Sequence, residues 1–275
     1  MKEEVLIIGC GEIGISLVNG WFKKRKDFSK KISHINILET NSKRTSFLKK
    51  KFKKKIIFLQ KKNIKNIDKK FKYVFLSFKP KDLNSNLFIY RNFFDKKTVI
   101  FSVLAGKNIT DIKKIFPINK NIIRVMLNTP IAFNIGTMVY YSLKNTLKKE
   151  DLFLLNLVGK TYLLKNETFF DLMTILIGSG PAFFYYLAEI MEKSAINHGF
   201  NKKLIREIIG NTFFGTANII NNLDDSFVNL RKKVTSKGGT TEVAINFLKK
   251  KKFEKIVHDS INQGIKKSKV LRYNK

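Results

Sequence analysis

The chain has 275 residues, 44% of them apolar, which is enough to bury the core of one large domain or two ordinary ones. A single cysteine excludes an internal disulfide and a cysteine-based zinc site. The apolar run Leu172–Ile177 is far shorter than the roughly 20 residues that a membrane span needs, so we expect none. The acids Glu3 and Glu4 before a short apolar stretch exclude a secretory signal, and we expect a cytoplasmic protein.

In the first half, short β-branched runs alternate with polar stretches of helical length. The predicted strands are Val5–Ile8, Ile35–Leu38, Ile56–Leu59, Tyr73–Ser77, Val99–Val103 and Ile122–Met126, with a further one at Met138–Ser142. The predicted helices between the first three strands are Ile15–Lys26 and Lys43–Lys54. This alternation predicts a doubly wound α/β domain, with a parallel sheet covered on both faces.

From about residue 165 the apolar spacing becomes helical, as at Phe183, Leu187 and Ile190. Gly199 is expected to end a helix. We therefore predict a Rossmann-type domain over residues 1–164 and an all-helical domain over residues 165–275. The helical part is either a dimerisation surface or a lid on its own sheet.

The formal charge of +33 comes from 54 Lys and Arg against 21 Asp and Glu. Such a charge suggests an anionic partner, nucleic acid or a membrane surface. The basic clusters nevertheless lie between apolar elements rather than in one motif: Lys23–Lys31, Lys49–Lys55, Lys61–Lys70 and Lys249–Lys252. The distribution favours a solvated surface, and we do not expect nucleic acid as a partner.

The glycine motif Gly9–Gly14 follows the first strand and opens a helix. In such a loop Gly9 permits the tight turn, Gly11 admits a pyrophosphate and Gly14 allows close packing of helix on strand. The helix N-terminus favours the phosphate charge, so the motif predicts dinucleotide binding.

The second strand leaves the choice of dinucleotide open. Glu39 at its end favours NAD by holding a ribose hydroxyl. The residues that follow favour NADP, because they could hold a 2′-phosphate, which gains a charge-assisted hydrogen bond from Arg or Lys: Asn41, Ser42, Lys43 and Arg44. We expect NADPH, with NADH as the alternative.

Three further turns follow later strands, at Phe78–Pro80, Ala105–Gly106 and Asn128–Pro130. Ligands of open α/β sheets bind at the carboxyl ends of strands, so these turns predict the nicotinamide end of one crevice. Beyond them, Gly178–Ala182 enters a helix, and Thr235–Glu242 combines two glycines with hydroxyls before another. The second of these is a good carboxylate cradle.

These motifs, in this order and with Arg124–Pro130 among them, resemble the pyrroline-5-carboxylate reductase family over nearly the whole chain. The resemblance implies NAD(P)H-dependent hydride transfer to a cyclic imine, giving L-proline, and a helical domain that interlocks with a second subunit. It implies cofactor contacts at Gly9, Cys10, Gly11, Glu12, Ile13, Gly14, Asn41, Phe78, Lys79, Ala105 and Asn128. It implies substrate contacts at Glu167, Ser236, Gly238, Gly239, Thr240 and Thr241, with Thr241 as the catalytic hydroxyl beside the ring nitrogen.

The chain departs from the family pattern at Leu127 and at three lysines beside the substrate loop, Lys232, Lys233 and Lys237. These lysines put substrate geometry and turnover in doubt more than the fold. Two rival functions stay open: another Rossmann reductase such as a β-hydroxyacid dehydrogenase, and a non-catalytic basic nucleic-acid-binding or interaction protein on a decayed reductase scaffold. No metal site is expected, because the three histidines are isolated in sequence.

Overall fold

The computed structural model describes residues 2–59, 69–143 and 148–273. Most of the basic cluster Lys61–Lys70 therefore lies outside the described residues. The chain forms two compact units, residues 1–179 with 264–275, and residues 180–263. Each unit is described by itself.

An eight-stranded sheet organises the first unit. Its strands are β1 Glu3–Ile8, β2 Ile32–Leu38, β3 Ile57–Leu59, β4 Tyr73–Leu76, β5 Val99–Ser102, β6 Asn121–Leu127, β7 Gly136–Tyr141 and β8 Gly159–Leu163. They follow the order β3-β2-β1-β4-β5-β6-β7-β8. The first six strands have the doubly wound order in which the chain reverses direction across the sheet between β1 and β4. That reversal opens a crevice at the carboxyl ends of these two strands.

The prediction of a wholly parallel sheet is wrong at one place, because β7 runs antiparallel to β6. The connection between them is residues 128–135, which include the 3-10 turn Thr129–Phe133 and Asn134 in a left-handed conformation, with φ of 62°. A parallel return needs a crossover of about a dozen residues or more, and this connection is shorter. The edge strand β8, parallel to β7, was not predicted.

Among the described residues, six α-helices lie wholly in the first unit: α1 Glu12–Lys23, α2 Arg25–Lys31, α3 Ser42–Phe52, α4 Ile109–Ile115, α5 Phe153–Asn156 and α6 Phe170–Met173. The predicted helix Ile15–Lys26 is in fact the two helices α1 and α2. Side chains alternate across β1, so Val5 and Ile7 enter one apolar cluster while Leu6 and Ile8 enter the other. Both faces of the sheet are therefore covered, as the sequence predicted.

The second unit is helical. Its helices are α7 Gly180–Asn197, α8 Lys202–Asn222, α9 Phe227–Lys233, α10 Thr240–Lys250 and the first part of α11 Phe253–Tyr273. Gly199, with φ of 86°, follows α7 as the predicted stop. Large apolar side chains such as Phe184, Tyr185 and Phe214 are 64%, 66% and 69% exposed. Apolar surface of this extent is typical of a face that another molecule covers.

One helical run among the described residues, Glu167–Asn197, is long and apolar enough to span a membrane by length and composition alone, with a mean hydropathy of 1.2. A single run of this kind is only weak evidence for a membrane-spanning helix. Within the apolar run Leu172–Ile177, Ile175 and Ile177 are buried but Leu176 is 47% exposed.

Candidate functional site

The glycine loop joins β1 to α1 at the crevice. Gly9 has φ of 77°, and its N–H donates to the carbonyl of Leu38, 2.8 Å away. A Cβ on Gly9 would lie 2.6 Å from Cβ of Phe78. Only glycine fits this conformation and this space, because other residues are strained at positive φ. The loop therefore passes tightly between the ends of β2 and β4.

The N-terminus of α1 faces the crevice without a side-chain cap. Gly11 is the N-cap residue and makes no side-chain cap bond, so the first N–H groups of the helix are available to an anion. A Cβ on Gly11 would meet only Nη1 of Arg44, at 3.9 Å. By contrast, a Cβ on Gly14 would lie 3.0 Å from Sγ of Cys10. Gly11 thus leaves space for a ligand, whereas Gly14 serves packing.

Glu39 ties the end of β2 to the glycine loop. Its Oε2 accepts from the N–H of Cys10 at 3.0 Å, and its Oε1 accepts from the N–H of Asn41 at 2.9 Å. Asn41 in turn caps α3 by accepting from the N–H of Arg44 at 2.9 Å. Arg44 Nη1 lies 3.7 Å from Glu12 Oε1. An acid and a base therefore both stand where the adenosine end of a dinucleotide is expected.

These elements line one cavity of about 950 Å³. Among the predicted coenzyme residues, it is lined by Gly9, Cys10, Gly11, Glu12, Ile13, Asn41, Phe78 and Lys79. Its second wall comes from the 3-10 turns Pro80–Asp82 and Ser85–Phe93 and the residues between them, and it includes Asn84 and Tyr90. This wall was not predicted, because its stretch of sequence has neither a helical nor a strand period.

Gly14, Ala105 and Asn128 are outside this lining. Ala105 lies in the turn after β5, next to Gly106 with φ of 74°. Asn128 follows β6, and its Oδ1 accepts from the N–H of Thr137 at 3.0 Å. Asn128 thus holds the turn between β6 and β7.

Glu167 lies at the start of the helical run that leads to the Gly178–Ala182 motif. Its Oε1 accepts from Arg124 Nη1 at 3.0 Å and from the N–H of Ile109 at 2.9 Å. The guanidinium of Arg124 lies 4.2 Å from the ring centroid of Phe170. The predicted substrate residue Glu167 is therefore joined to β6 and to α4.

The loop before α10, residues 235–239, belongs to the second unit. Gly238 has φ of 74°, and its N–H donates to Oε2 of Glu242 at 2.7 Å. A Cβ on Gly239 would lie 2.5 Å from Oγ of Ser236, so the loop needs glycine there. Gly239 caps α10 without a side-chain bond, which leaves the N-terminus at Thr240 and Thr241 open to a carboxylate.

The lysine departures beside this loop are solvated. Lys233 Nζ donates to Oδ2 of Asp225 at 2.8 Å, and this bond holds the pKa of Asp225 below its ordinary value. Lys232 and Lys237 are exposed. The ammonium of Lys233 is therefore paired with the carboxylate of Asp225.

Metal and thiol chemistry find no support in the described residues. Within them, no group of three or more His, Cys, Asp or Glu side chains is arranged to hold a metal. Cys10 is buried, and burial together with the charge of Glu39 raises its pKa to about 12. The thiol is therefore protonated and enclosed at neutral pH.

A doubly wound sheet whose glycine loop, uncapped helix and acid at the end of β2 line one cavity defines a Rossmann-type dinucleotide-binding protein. Residues 167–271 match the family model described as "Pyrroline-5-carboxylate reductase dimerisation". Pyrroline-5-carboxylate reductase 2 of Bacillus subtilis (strain 168) is 33% identical over 199 residues, which cover 71% of this chain and 70% of the relative. Pyrroline-5-carboxylate reductase 1 of the same strain is 28% identical over 275 residues, covering 98% of this chain and 89% of that one.

The fold has solved counterparts. The crystal structure of Plasmodium falciparum pyrroline carboxylate reductase with NADP bound superposes with a TM-score of 0.80 at 20% identity, covering 98% of both chains. From the sequence similarity, the chain belongs to the pyrroline-5-carboxylate reductase family.

Proposed function

We propose that this protein reduces pyrroline-5-carboxylate to L-proline with NADPH, and that NADH is also accepted. One observation carries the proposal: in a chain of this family, the glycine loop, Glu39 and Arg44 line a single cavity of about 950 Å³. Its volume is within the usual range for cofactor sites.

The residues of the cavity fit a dinucleotide. The open space at Gly11 and the uncapped N-terminus of α1 suit a pyrophosphate. Asn41 and Arg44 then lie at the adenosine end, and Phe78 and Lys79 lie along the crevice. We place Ala105 and Asn128 near the nicotinamide end, since both follow neighbouring strands at their carboxyl ends. Gly14 contributes by keeping α1 close to its strand.

The substrate is held, in this proposal, by the loop before α10. Backbone at Gly238 and Gly239 and the hydroxyls of Ser236 and Thr240 bind the carboxylate, and the Thr241 hydroxyl bonds to the ring nitrogen. The bound coenzyme supplies the hydride for the C=N carbon, while a proton completes the amine. The chain's own part is to orient the imine and exclude water, which lowers the barrier by fixing the reacting geometry.

The domains follow from this assignment. We propose that residues 1–164 bind the coenzyme and that residues 165–275 provide dimerisation and part of the substrate site. A homodimer, or a larger oligomer built from it, explains the exposed Phe184, Tyr185 and Phe214. Covering them with a second copy removes apolar surface from water. It also accounts for the apolar run Glu167–Asn197 without a membrane.

We propose a cytoplasmic protein whose high charge is a solvated surface rather than a nucleic-acid site. The lysines are spread among the elements, and several lie over aromatic rings of their own chain, as Lys23 does over Phe133 at 3.7 Å. A phosphate-binding surface predicts DNA retention that falls steeply with salt. Retention of this kind, without turnover, contradicts the enzymatic assignment.

A substrate panel tests the reaction class. The purified protein is assayed with NADPH and pyrroline-5-carboxylate, and with NAD(P)⁺ and a set of β-hydroxyacids. Oxidation of NADPH with the imine alone supports the proposal. Reduction of NAD(P)⁺ by a hydroxyacid, without activity on the imine, assigns the chain to another class of Rossmann reductase.

A further inference from the structure

One carboxylate oxygen joins three segments around the crevice. Glu167 Oε1 accepts both the N–H of Ile109, at 2.9 Å, and Nη1 of Arg124, at 3.0 Å. Ile109 is the first residue of α4, Arg124 lies in β6, and Glu167 opens the run towards Gly178. Arg124 and Ile109, which are 43 and 58 positions from Glu167 in the chain, thus bind the same oxygen atom.

Both donors lie near the two turns that the proposed function places at the nicotinamide end. Ile109 closely follows the turn that contains Ala105, and Arg124 precedes Asn128 on the same strand end. The strands concerned are neighbours, since Ser102 of β5 pairs with Arg124 of β6. The position of Glu167 Oε1 therefore fixes the two turns relative to each other.

Burial makes this junction stiff. The side chain of Arg124 is 2% exposed and that of Glu167 is 22% exposed. In a site this dry, separating a buried cation from its acid is costly, so the pair resists separation. The run that begins at Glu167 also packs closely against β6 at Gly178, where an added Cβ would lie 3.1 Å from Sδ of Met126.

We infer that Glu167 is a positioning residue, which acts through Arg124 and the N–H of Ile109 to hold the turns at the nicotinamide end. The inference rests on the proposed function. If Glu167 only positions the turns, activity requires an oxygen that accepts both hydrogen bonds. It does not require the negative charge of Glu167, as a direct contact with the substrate would.

Four variants separate the two roles: Glu167→Gln, Glu167→Ala, Arg124→Met and the double variant Arg124→Met/Glu167→Ala. Glu150→Ala serves as the control, since Glu150 pairs with Lys148 at 3.6 Å on the surface of the same unit. For each protein, kcat and the KM values for pyrroline-5-carboxylate and NADPH are measured at 25 °C, together with Tm.

Positioning predicts a fall in kcat of roughly 100-fold for Glu167→Ala, because small displacements of reacting groups are this costly. The KM for pyrroline-5-carboxylate then stays within about threefold of the parent, since substrate affinity is not the property removed. Glu167→Gln stays within about threefold in kcat, because its carbonyl oxygen still accepts both bonds, although its Tm is lower. In the Arg124→Met background, adding Glu167→Ala lowers kcat by less than a further factor of about three, because the two residues act together.

The opposite pattern overturns the inference. Two results assign Glu167 to direct substrate binding. In the first, Glu167→Gln is as impaired as Glu167→Ala. In the second, the effect of Glu167→Ala is undiminished on Arg124→Met and falls mainly on the KM for the imine. If Glu167→Ala does not fold, Glu167→Gln alone and on Arg124→Met decides by the same criteria. A parent protein without turnover contradicts the proposed function instead, so the two failures are distinguishable.

Discussion

The N–H of Cys10 donates to Oε2 of Glu39 across 3.0 Å, which ties the glycine loop to the end of β2. Because the other oxygen of Glu39 accepts from the N–H of Asn41, this carboxylate organises the end of the cavity where we propose that the adenosine binds. In that proposal it also places a negative charge near the 2′-phosphate of NADPH.

Coenzyme selectivity follows from this pair of features. Glu39→Gln removes a charge that repels a phosphate, so the ratio of kcat/KM for NADPH to that for NADH rises about three- to tenfold. Arg44→Ala removes a cation from the same place, and the ratio falls by about tenfold or more. The check is steady-state kinetics with both coenzymes at one salt concentration. Equal ratios in both variants and the parent disprove this view of the adenosine end.

Two glycine substitutions in the loop are expected to differ. Gly9→Ala forces a side chain into positive φ and against Phe78, so both Tm and NADPH affinity fall, with roughly 1–2 kcal/mol of stability lost to φ alone. Gly11→Ala meets only Arg44 at 3.9 Å in the free protein, so Tm is kept and NADPH affinity is lost. Thermal melts and NADPH fluorescence titrations measure the two properties. Unchanged affinity in Gly11→Ala contradicts the placement of the pyrophosphate.

Thr241→Ala tests the substrate loop. If the hydroxyl bonds to the ring nitrogen in the transition state, its removal costs roughly 2–4 kcal/mol in kcat/KM. Thr161→Ala is the matched control, because the Thr161 hydroxyl donates to Asn156 Oδ1 on the surface, at 2.7 Å. Full kcat/KM in Thr241→Ala contradicts the catalytic role.

Thiol reagents are expected to leave the enzyme active. With a pKa raised to about 12 by burial and by Glu39, Cys10 is almost entirely protonated at pH 8. The thiolate fraction increases as pH rises towards the pKa, so any modification of the folded protein accelerates in alkali. Titration with a chromogenic disulfide at pH 8 therefore detects no thiol in the folded protein and one in guanidinium. Rapid labelling and inactivation of the folded protein refute the enclosed position of Cys10.

The sequence predicted those parts of the molecule whose physics is local. The continuous apolar run Val5–Ile8 and the spacing of Gly9, Gly11 and Gly14 specify a strand, a turn and a helix within a dozen residues. The same local logic failed at β7 and β8. The direction of β7 depends on the length of its connection, and β8 is a short edge strand with Tyr162 and Leu163 exposed.

The contacts of the site were less predictable than its motifs. Glu167 bonds to Arg124 and Ile109, which are 43 and 58 positions away in the chain. A single sequence contains no signal for such distant pairings. The resemblance placed Glu167 near substrate, but only the fold showed Arg124 and the N–H of Ile109 on its carboxylate. The wall at Asn84 and Tyr90 was missed for the related reason that 3-10 turns have weak periodicity.

The measurement that tests the central claim most directly is the stoichiometry of coenzyme oxidation. The purified protein is mixed with NADPH, and separately with NADH, and limiting pyrroline-5-carboxylate at physiological salt, and proline is quantified at the end. The account predicts one proline formed per coenzyme oxidised, with NADPH turned over and Thr241→Ala strongly impaired. No proline with either coenzyme, from a folded dimer, contradicts it.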